Sequence, residues 1–312
     1  MKVQLDRNES VFLEKSSVSV LIASYNAANF LDVTLQGIAW QTFPASEVVI
    51  VDDCSTDKTE EVVNSWLDRL PIKYIRNEVN LGVGASRNVG LRNVKSELVA
   101  VLDADDLWLP MHLETLMSCF GNDRTIVSPR AVVWPQGRGI SLDNNYALDV
   151  PKGKDQFKLL CKENFVFAGS LFPYSMIQEV GEFPNVRIGE DHLMWLKAVA
   201  RGYVIVKPNS LTVLYRRHES SLSVIKSDLF RSLQQSFLEN IDQFNAAQQK
   251  FLKRQVKDLR MRELLSSHDE RSGKFLSSLF LNLFPVILAG SLRLKLSALS
   301  RLLFLTPSTR HQ

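Results

Sequence analysis

Leu98–Asp106 reads Leu-Val-Ala-Val-Leu-Asp-Ala-Asp-Asp. A short, nearly continuous apolar run of this kind suits a strand buried on both faces of a parallel sheet. This one ends in acid. Working outward, Val48–Val51 (VVIV) runs into Asp52-Asp53, and Val18–Ala23 (VSVLIA) runs into Ser24-Tyr25-Asn26. Helical patterns separate these runs at Phe30–Gln41, Lys58–Leu70 and Gly84–Asn93, and Lys73–Arg76 fits a further strand. The alternation of strand and helix predicts an α/β fold, a mostly parallel sheet flanked by helices. Ligands of such sheets collect at the carboxyl ends of the strands. Several carboxylates gathered on that rim repel one another unless a cation sits among them.

Farther along, Thr125–Val150 is irregular, with Pro129, Pro135, Gly137 and Gly139, and reads as short strands and loops that shape an acceptor pocket. Asp155–Lys162 and Asp191–Arg201 read as helices, Val204–Val206 and Leu211–Tyr215 as strands. Beyond residue 226 apolar positions recur at helical spacing (Leu229, Leu233, Phe237, Ile241, Phe244, then Phe251, Val256, Leu259), which predicts a helical appendage. The 312 residues, 45% hydrophobic and 23% charged, suffice for one large α/β domain plus such an appendage. A net charge of only +3 gives no reason to expect a nucleic-acid partner. Cys54, Cys119 and Cys161 follow no metal-ligand spacing and read as reduced thiols, and the polar start, Met1–Ser17, has no apolar core of signal-peptide type. Both features point to the cytoplasm.

Asp103 and Asp105, at i and i+2 after a buried strand, can hold a hard cation and a ribose between them. Oxygen ligands suit Mn²⁺ or Mg²⁺, with the ion bridging to diphosphate oxygens. The plainer alternative is a solvated acidic turn. Asp53 can accept the imide N–H of uracil, while Asp57, ahead of Glu60 and Glu61, organises the turn and caps the next helix. Asn80–Gly90 (NLGVGASRNVG) is glycine-rich and enters a helix. Backbone amides there favour phosphate, and Arg87 adds a planar cation. It is not a dinucleotide fingerprint, because the third glycine position holds Arg87, which argues against a dehydrogenase. Glu190-Asp191 opens a helix and offers either a general base or acids that complement the helix dipole; spacing alone favours the second. Trp195, one turn on, walls an acceptor or sits in the core. His218 in Tyr215-Arg216-Arg217-His218 is a metal ligand or a plain hydrogen-bonding residue, and Arg216 is a cation suited to a departing diphosphate.

Seven stretches in this order resemble the inverting GT-A-fold glycosyltransferases of family 2: VLIASYN (Val20–Asn26), VIVDDCSTDKT (Val49–Thr59), NLGVGASRNVGL (Asn80–Leu91), LDADD (Leu102–Asp106), VGEF (Val180–Phe183), GEDHLMW (Gly189–Trp195) and YRRHESSLS (Tyr215–Ser223). The resemblance implies that Ser24, Tyr25, Asn26, Asp53, Arg87 and Asp103 meet the nucleotide, Asp53 at the base. It makes Asp105 the principal metal ligand, with His218 beside it, and Asp191 the general base. Glu190, Trp195 and Arg216 fall on the acceptor side. The implied reaction is a metal-dependent, inverting transfer of sugar from a nucleotide donor, with UDP favoured, onto a hydroxyl of a glycan or lipid-linked acceptor. Surface polysaccharide is the implied product. Residues 1–222 would then be the catalytic domain, with a nucleotide-sugar half about 17–106 and an acceptor half about 107–222, and 223–312 a C-terminal helical region. Two departures stand out: Ala23 where proline is often found, and Cys54 where glycine is frequent. The alternatives are a nucleotidyltransferase, or a non-catalytic sugar-nucleotide or glycan-binding module on the same fold.

Phe275–Leu305 (FLSSLFLNLFPVILAGSLRLKLSALSRLLFL) is apolar, diluted by Asn282 and Pro285, and later interleaves Arg293, Lys295 and Arg301 with leucines. With Lys274 it reads as a basic amphipathic segment, 274–305, lying on the inner face of a membrane and bringing the enzyme to a lipid-linked acceptor. The alternative is a helix pair packed on the catalytic domain or across a homo-oligomer interface.

Overall fold

The computed structural model describes residues 17–135, 155–186, 188–218 and 226–270. In chain order its strands are β1 (Val18–Ser24), β2 (Glu47–Asp52), β3 (Ile72–Arg76), β4 (Leu98–Asp103), β5 (Leu107–Trp108), β6 (Thr125–Val127), β7 (Arg130–Pro135), β8 (Leu171–Pro173), β9 (Val204–Val206) and β10 (Leu211–Arg217). The helices are α1 (Ala28–Ala39), α2 (Thr59–Asn64), α3 (Val83–Leu91), α4 (His112–Cys119), α5 (Asp155–Leu160), α6 (Tyr174–Val180), α7 (Glu190–Ala200), α8 (Lys226–Glu239) and α9 (Ala246–Glu270).

The predicted apolar runs are the parallel strands of the sheet, paired in the order β3-β2-β1-β4. The sheet continues through β8, antiparallel to β4, then β6 and β9, giving seven strands. A second sheet, β5-β10-β7, is hydrogen-bonded separately from the first. On one face Val20, Ile22, Val48, Ile50, Ala100 and Leu102 pack with Leu31 and Leu35 of α1, all without solvent exposure. Each of these valine, leucine and isoleucine side chains contributes about 1.5–3 kcal/mol by leaving water. On the other face α3 lies against β1 and β2 so closely that a Cβ on Gly90 would sit 2.1 Å from Leu21 Cδ1. The register matters most for function: Ser24 lies opposite Asp52, and Ala23 opposite Asp103, so the polar strand ends share one rim.

The two sheets meet at His112. Its Nε2 lies 3.1 Å from the Gly169 carbonyl, which can only accept, so Nε2 carries the proton. Nδ1 accepts from Thr212 Oγ1 at 3.0 Å, and the ring stacks on Trp108 with centroids 4.1 Å apart. Complete burial pushes its pKa from the ordinary 6.5 down to about 3. The unfolded chain therefore takes up a proton that the folded one refuses. Stability from this group is full above pH about 6.5 and is lost as pH falls towards 3, about 3 kcal/mol of it by pH 4. Urea unfolding midpoints are expected to drop across that window, and His112→Gln, although less stable at pH 7, should show a shallower slope.

Contacts divide the chain into two units, Met1–Glu219 and Ser220–Gln312. In the second, α8 and α9 pack on each other, with Arg231 Nε 2.9 Å from Glu263 Oε1 and Gln234 Nε2 donating to Glu263 Oε2 at 2.8 Å. No helix of the described residues is long and apolar enough to cross a membrane. The 274–305 segment lies outside the described residues.

Candidate active site

The rim is built first by Asp52 and Asp53. Asp52 is fully buried and accepts from Ser55 N–H (2.8 Å), Tyr74 Oη (2.6 Å) and Arg76 Nη1 (2.7 Å), so it braces β2 against β3. Asp53 accepts the backbone N–H of Leu81 on Oδ1 (2.8 Å) and of Gly82 on Oδ2 (2.7 Å), and Asn77 Nδ2 on Oδ1 (2.8 Å). The glycine-rich loop's amides thus do bind an anion, but the anion is the Asp53 carboxylate. That corrects the phosphate-cradle expectation for these two amides. Of the roughly four lone-pair sites of a carboxylate, one is left on Oδ2.

Ser24 is buried with an Oγ that has no hydrogen-bond partner among the described residues, and Tyr25 beside it is 53% exposed. Asn26 is a turn builder. It takes a positive φ of 50°, which asparagine tolerates, and its Oδ1 accepts Thr56 N–H at 2.8 Å. Cys54 also has a positive φ, 64°, so it occupies the backbone conformation that a glycine would favour. Asp57 joins two helix starts, accepting from Ala28 N–H and from Thr59 N–H, each at 3.0 Å.

Arg87 does not present its guanidinium to solvent. It is buried in mid-α3, with Nη2 2.6 Å from Asp103 Oδ1 and Nη1 bonded to Glu190 Oε1. The predicted nucleotide contact is instead a bridge between β4 and α7, and Phe183 lies under it with its centroid 5.5 Å from Cζ. Burial pushes the Glu190 carboxyl up to about 7 against the downward pull of Arg87.

Asp105 Oδ2 lies 2.9 Å from His218 Nε2, so residues 113 positions apart share one corner of the rim. His218 stacks on Phe30 at 4.4 Å. Burial and then the neighbouring Asp103 raise the pKa of Asp105, while His218 draws it down. Asp106, fully buried, is pushed well above the usual range by burial and by both neighbouring acids. Arg216 clamps the turn: its backbone N–H donates to Asp106 Oδ1 at 2.9 Å and its Nε to the Asp105 carbonyl at 2.7 Å. Its guanidinium lies 4.2 Å from the Trp134 centroid, and Nη2 has no hydrogen-bond partner among the described residues. Among the described residues no group of three His, Cys, Asp or Glu side chains is placed to hold a metal ion by itself. A carboxylate and an imidazole with a second acid nearby suit a divalent cation that takes its other ligands from water and phosphate.

Asp191 occupies the first turn of α7, which starts after Gly189 in the left-handed region (φ 87°). Its Oδ1 accepts His192 N–H at 2.7 Å and its Oδ2 accepts Asn164 Nδ2 at 2.9 Å. Trp195 is a correction to the acceptor-wall expectation. It is buried and meets Phe172 edge-on at 5.5 Å, in the core.

The family model described as Glycosyl transferase family 2 matches residues 19–176, half of the chain, and spans the rim from β1 through β4. The chain belongs to glycosyl transferase family 2. Its relatives include TuaG of Bacillus subtilis (strain 168), by name a glycosyltransferase of teichuronic acid biosynthesis, 28% identical over 214 residues that cover 67% of this chain and 82% of that one. Among solved structures, Staphylococcus aureus TarS 1–349 in complex with UDP-GlcNAc superposes with a TM-score of 0.61 at 21% identity, over 92% of this chain and 85% of that one. The mannosyltransferase PcManGT from Pyrobaculum calidifontis, in complex with GDP-Man and Mn²⁺, gives 0.60 at 20% identity, over 96% and 87%. These likenesses carry the fold, the GT-A arrangement of a mostly parallel sheet flanked by helices.

In this family 2 glycosyltransferase several rim residues carried no signal of their own in the sequence. Asn164 lies 27 positions from Asp191 in a stretch without periodicity. Phe30 reads as one more apolar residue of a helix, and Asn77 as a loop residue.

Proposed function

We propose that this glycosyltransferase moves a sugar from a uridine diphosphate donor onto a hydroxyl of a glycan or lipid-linked acceptor, with inversion and with a divalent metal, in building a surface polysaccharide. The observation that carries the reading is the single rim shared by Asp103, the Asp105–His218 pair and, through Arg87 and Glu190, the helix end bearing Asp191. TuaG's name supports the product class, the UDP-GlcNAc complex of TarS the donor class, and the Mn²⁺ in PcManGT the metal.

In this reading Ser24 Oγ and the remaining lone pair of Asp53 meet the nucleoside, with Tyr25 beside them. Asp103 meets the ribose. Asp105 and His218 would hold Mn²⁺ or Mg²⁺, which would supply positive charge against that growing on the diphosphate. Asp191 takes the proton of the acceptor hydroxyl as its oxygen attacks the anomeric carbon from the face opposite the diphosphate. One displacement inverts the configuration and needs no covalent enzyme intermediate. The enzyme works on the cytoplasmic side, with 274–305 resting on the membrane face that carries the acceptor.

Purified chain with Mn²⁺ or Mg²⁺ and a panel of nucleotide sugars is expected to release nucleoside diphosphate slowly from a UDP-sugar. Asp105→Ala should lower that rate by about a hundredfold or more. Neither release nor calorimetric binding with any donor would replace this reading with the non-catalytic binding module.

A further inference from the structure

Asp191 projects from the first turn of α7, and two hydrogen bonds fix its carboxylate there. Oδ1 accepts the N–H of His192 and Oδ2 accepts Asn164 Nδ2 at 2.9 Å. The orientation of Asn164 is itself determined. Its Oδ1 accepts Val166 N–H at 3.1 Å, so the end that meets Asp191 is the amide nitrogen.

The segment that carries Asn164 is fastened on both sides. Upstream, the Leu160 carbonyl at the end of α5 accepts His192 Nε2, so α5 is tied to the same turn of α7. Downstream, Phe165 and Val166 are buried, and Phe167 N–H donates to Ser128 Oγ at 3.2 Å, just past β6. The amide of Asn164 is therefore presented to Asp191 by rigid surroundings on the acceptor half of the sheet.

We infer that Asn164 is the positioning residue of the base, an inference that rests on Asp191 being that base. Its N–H holds one carboxylate oxygen, while the lone pairs not taken by Asn164 and His192 serve the acceptor hydroxyl. Proton abstraction needs hydrogen-bond reach and alignment, and a carboxylate left to rotate loses both. Among the described residues the charged and titratable groups facing Asp191 are Arg87 of α3, which attracts it, and Glu190 and His192 of its own helix. Glu190 repels it when ionised, and burial keeps His192 neutral. Asn164 is the neutral donor among them.

Asn164→Asp tests this with little change of shape. It keeps an acceptor for Val166 N–H and replaces the donor with a second acid. Asn164→Ala removes the group. Full-length variants are compared by the pH dependence of nucleoside diphosphate release from a panel of UDP-sugars, by calorimetric binding of UDP with Mn²⁺, and by the ¹³C titration of the Asp191 carboxyl. Its resonance is assigned by its loss in Asp191→Asn. The acid limb of turnover and the carboxyl titration should both move to higher pH, farther in Asn164→Asp. Turnover at pH 7 should fall about tenfold or more, with UDP binding within about twofold of wild type. An unmoved Asp191 titration in both variants, or UDP binding lost together with turnover, overturns the inference. If Asp191→Asn keeps its turnover, the base reading fails instead. If Asp191→Asn is inactive while the Asn164 variants follow the wild-type pH profile, only the role of Asn164 falls.

Discussion

Asp191→Asn is expected to lower sugar transfer by about 10²- to 10⁴-fold while leaving UDP-sugar binding close to wild type. The substitution is nearly isosteric. The amide oxygen can still accept from Asn164 Nδ2 or from His192 N–H, the two bonds that hold the carboxylate, so the first turn of α7 keeps its place. What disappears is the negative charge that takes the acceptor's proton. Donor binding does not depend on that charge, because the residues proposed to meet nucleotide and metal belong to β1, β4, the loop after β2 and the end of β10. The loss should therefore fall on kcat, with KM for the donor little changed, the pattern of an interaction made in the transition state. Transfer rates and donor calorimetry on the same preparation separate the effects. A variant that keeps more than about a tenth of wild-type turnover removes Asp191 from the role of base.

The parallel half of the sheet was legible because its strands are apolar on both faces, so Val18–Ala23, Val48–Val51 and Leu98–Leu102 announce themselves without periodicity. The rim was legible for a related reason: polar residues ending buried strands have few structural explanations. β5 and β8, of two and three residues, are too short to leave a pattern, and they form only because β10 and β4 supply their partners. The loop Asn80–Gly90 shows where spacing stops being informative. Glycines ahead of a helix report exposed amides, but not which anion fills them, and here Asp53 reaches Leu81 and Gly82 from the neighbouring strand end. Gly90 belongs to packing, since it lets α3 approach Leu21. Trp195 shows the same limit, because one turn of helix fixes its height relative to Asp191 but not whether that face meets a ligand or Phe172.

Arg87→Ala is expected to destabilise the fold by about 3–5 kcal/mol and to reduce turnover as well. The guanidinium side chain is 6% exposed, and its two carboxylate partners lie on different elements, Asp103 ending β4 and Glu190 opening α7. Removing it leaves Glu190, 8% exposed, without its counter-charge, and the acid must then take up a proton or draw in water. Glu190 already titrates near 7 because burial outweighs Arg87, so without Arg87 it should be neutral at physiological pH. Stability and function can then be separated by replacing both members of the Arg87–Glu190 pair. Arg87→Leu with Glu190→Leu removes the buried charges together and should regain much of the lost stability, as apolar replacement of a buried ion pair often does. Turnover should stay low, because Asp103 loses the partner that orients it and α7 loses its tie to β4. Urea melts and nucleoside diphosphate release on the single and double variants decide the matter. If activity returned with stability in the double variant, the bridge would serve only the fold, and the coupling it makes between donor rim and base would have no part in the reaction.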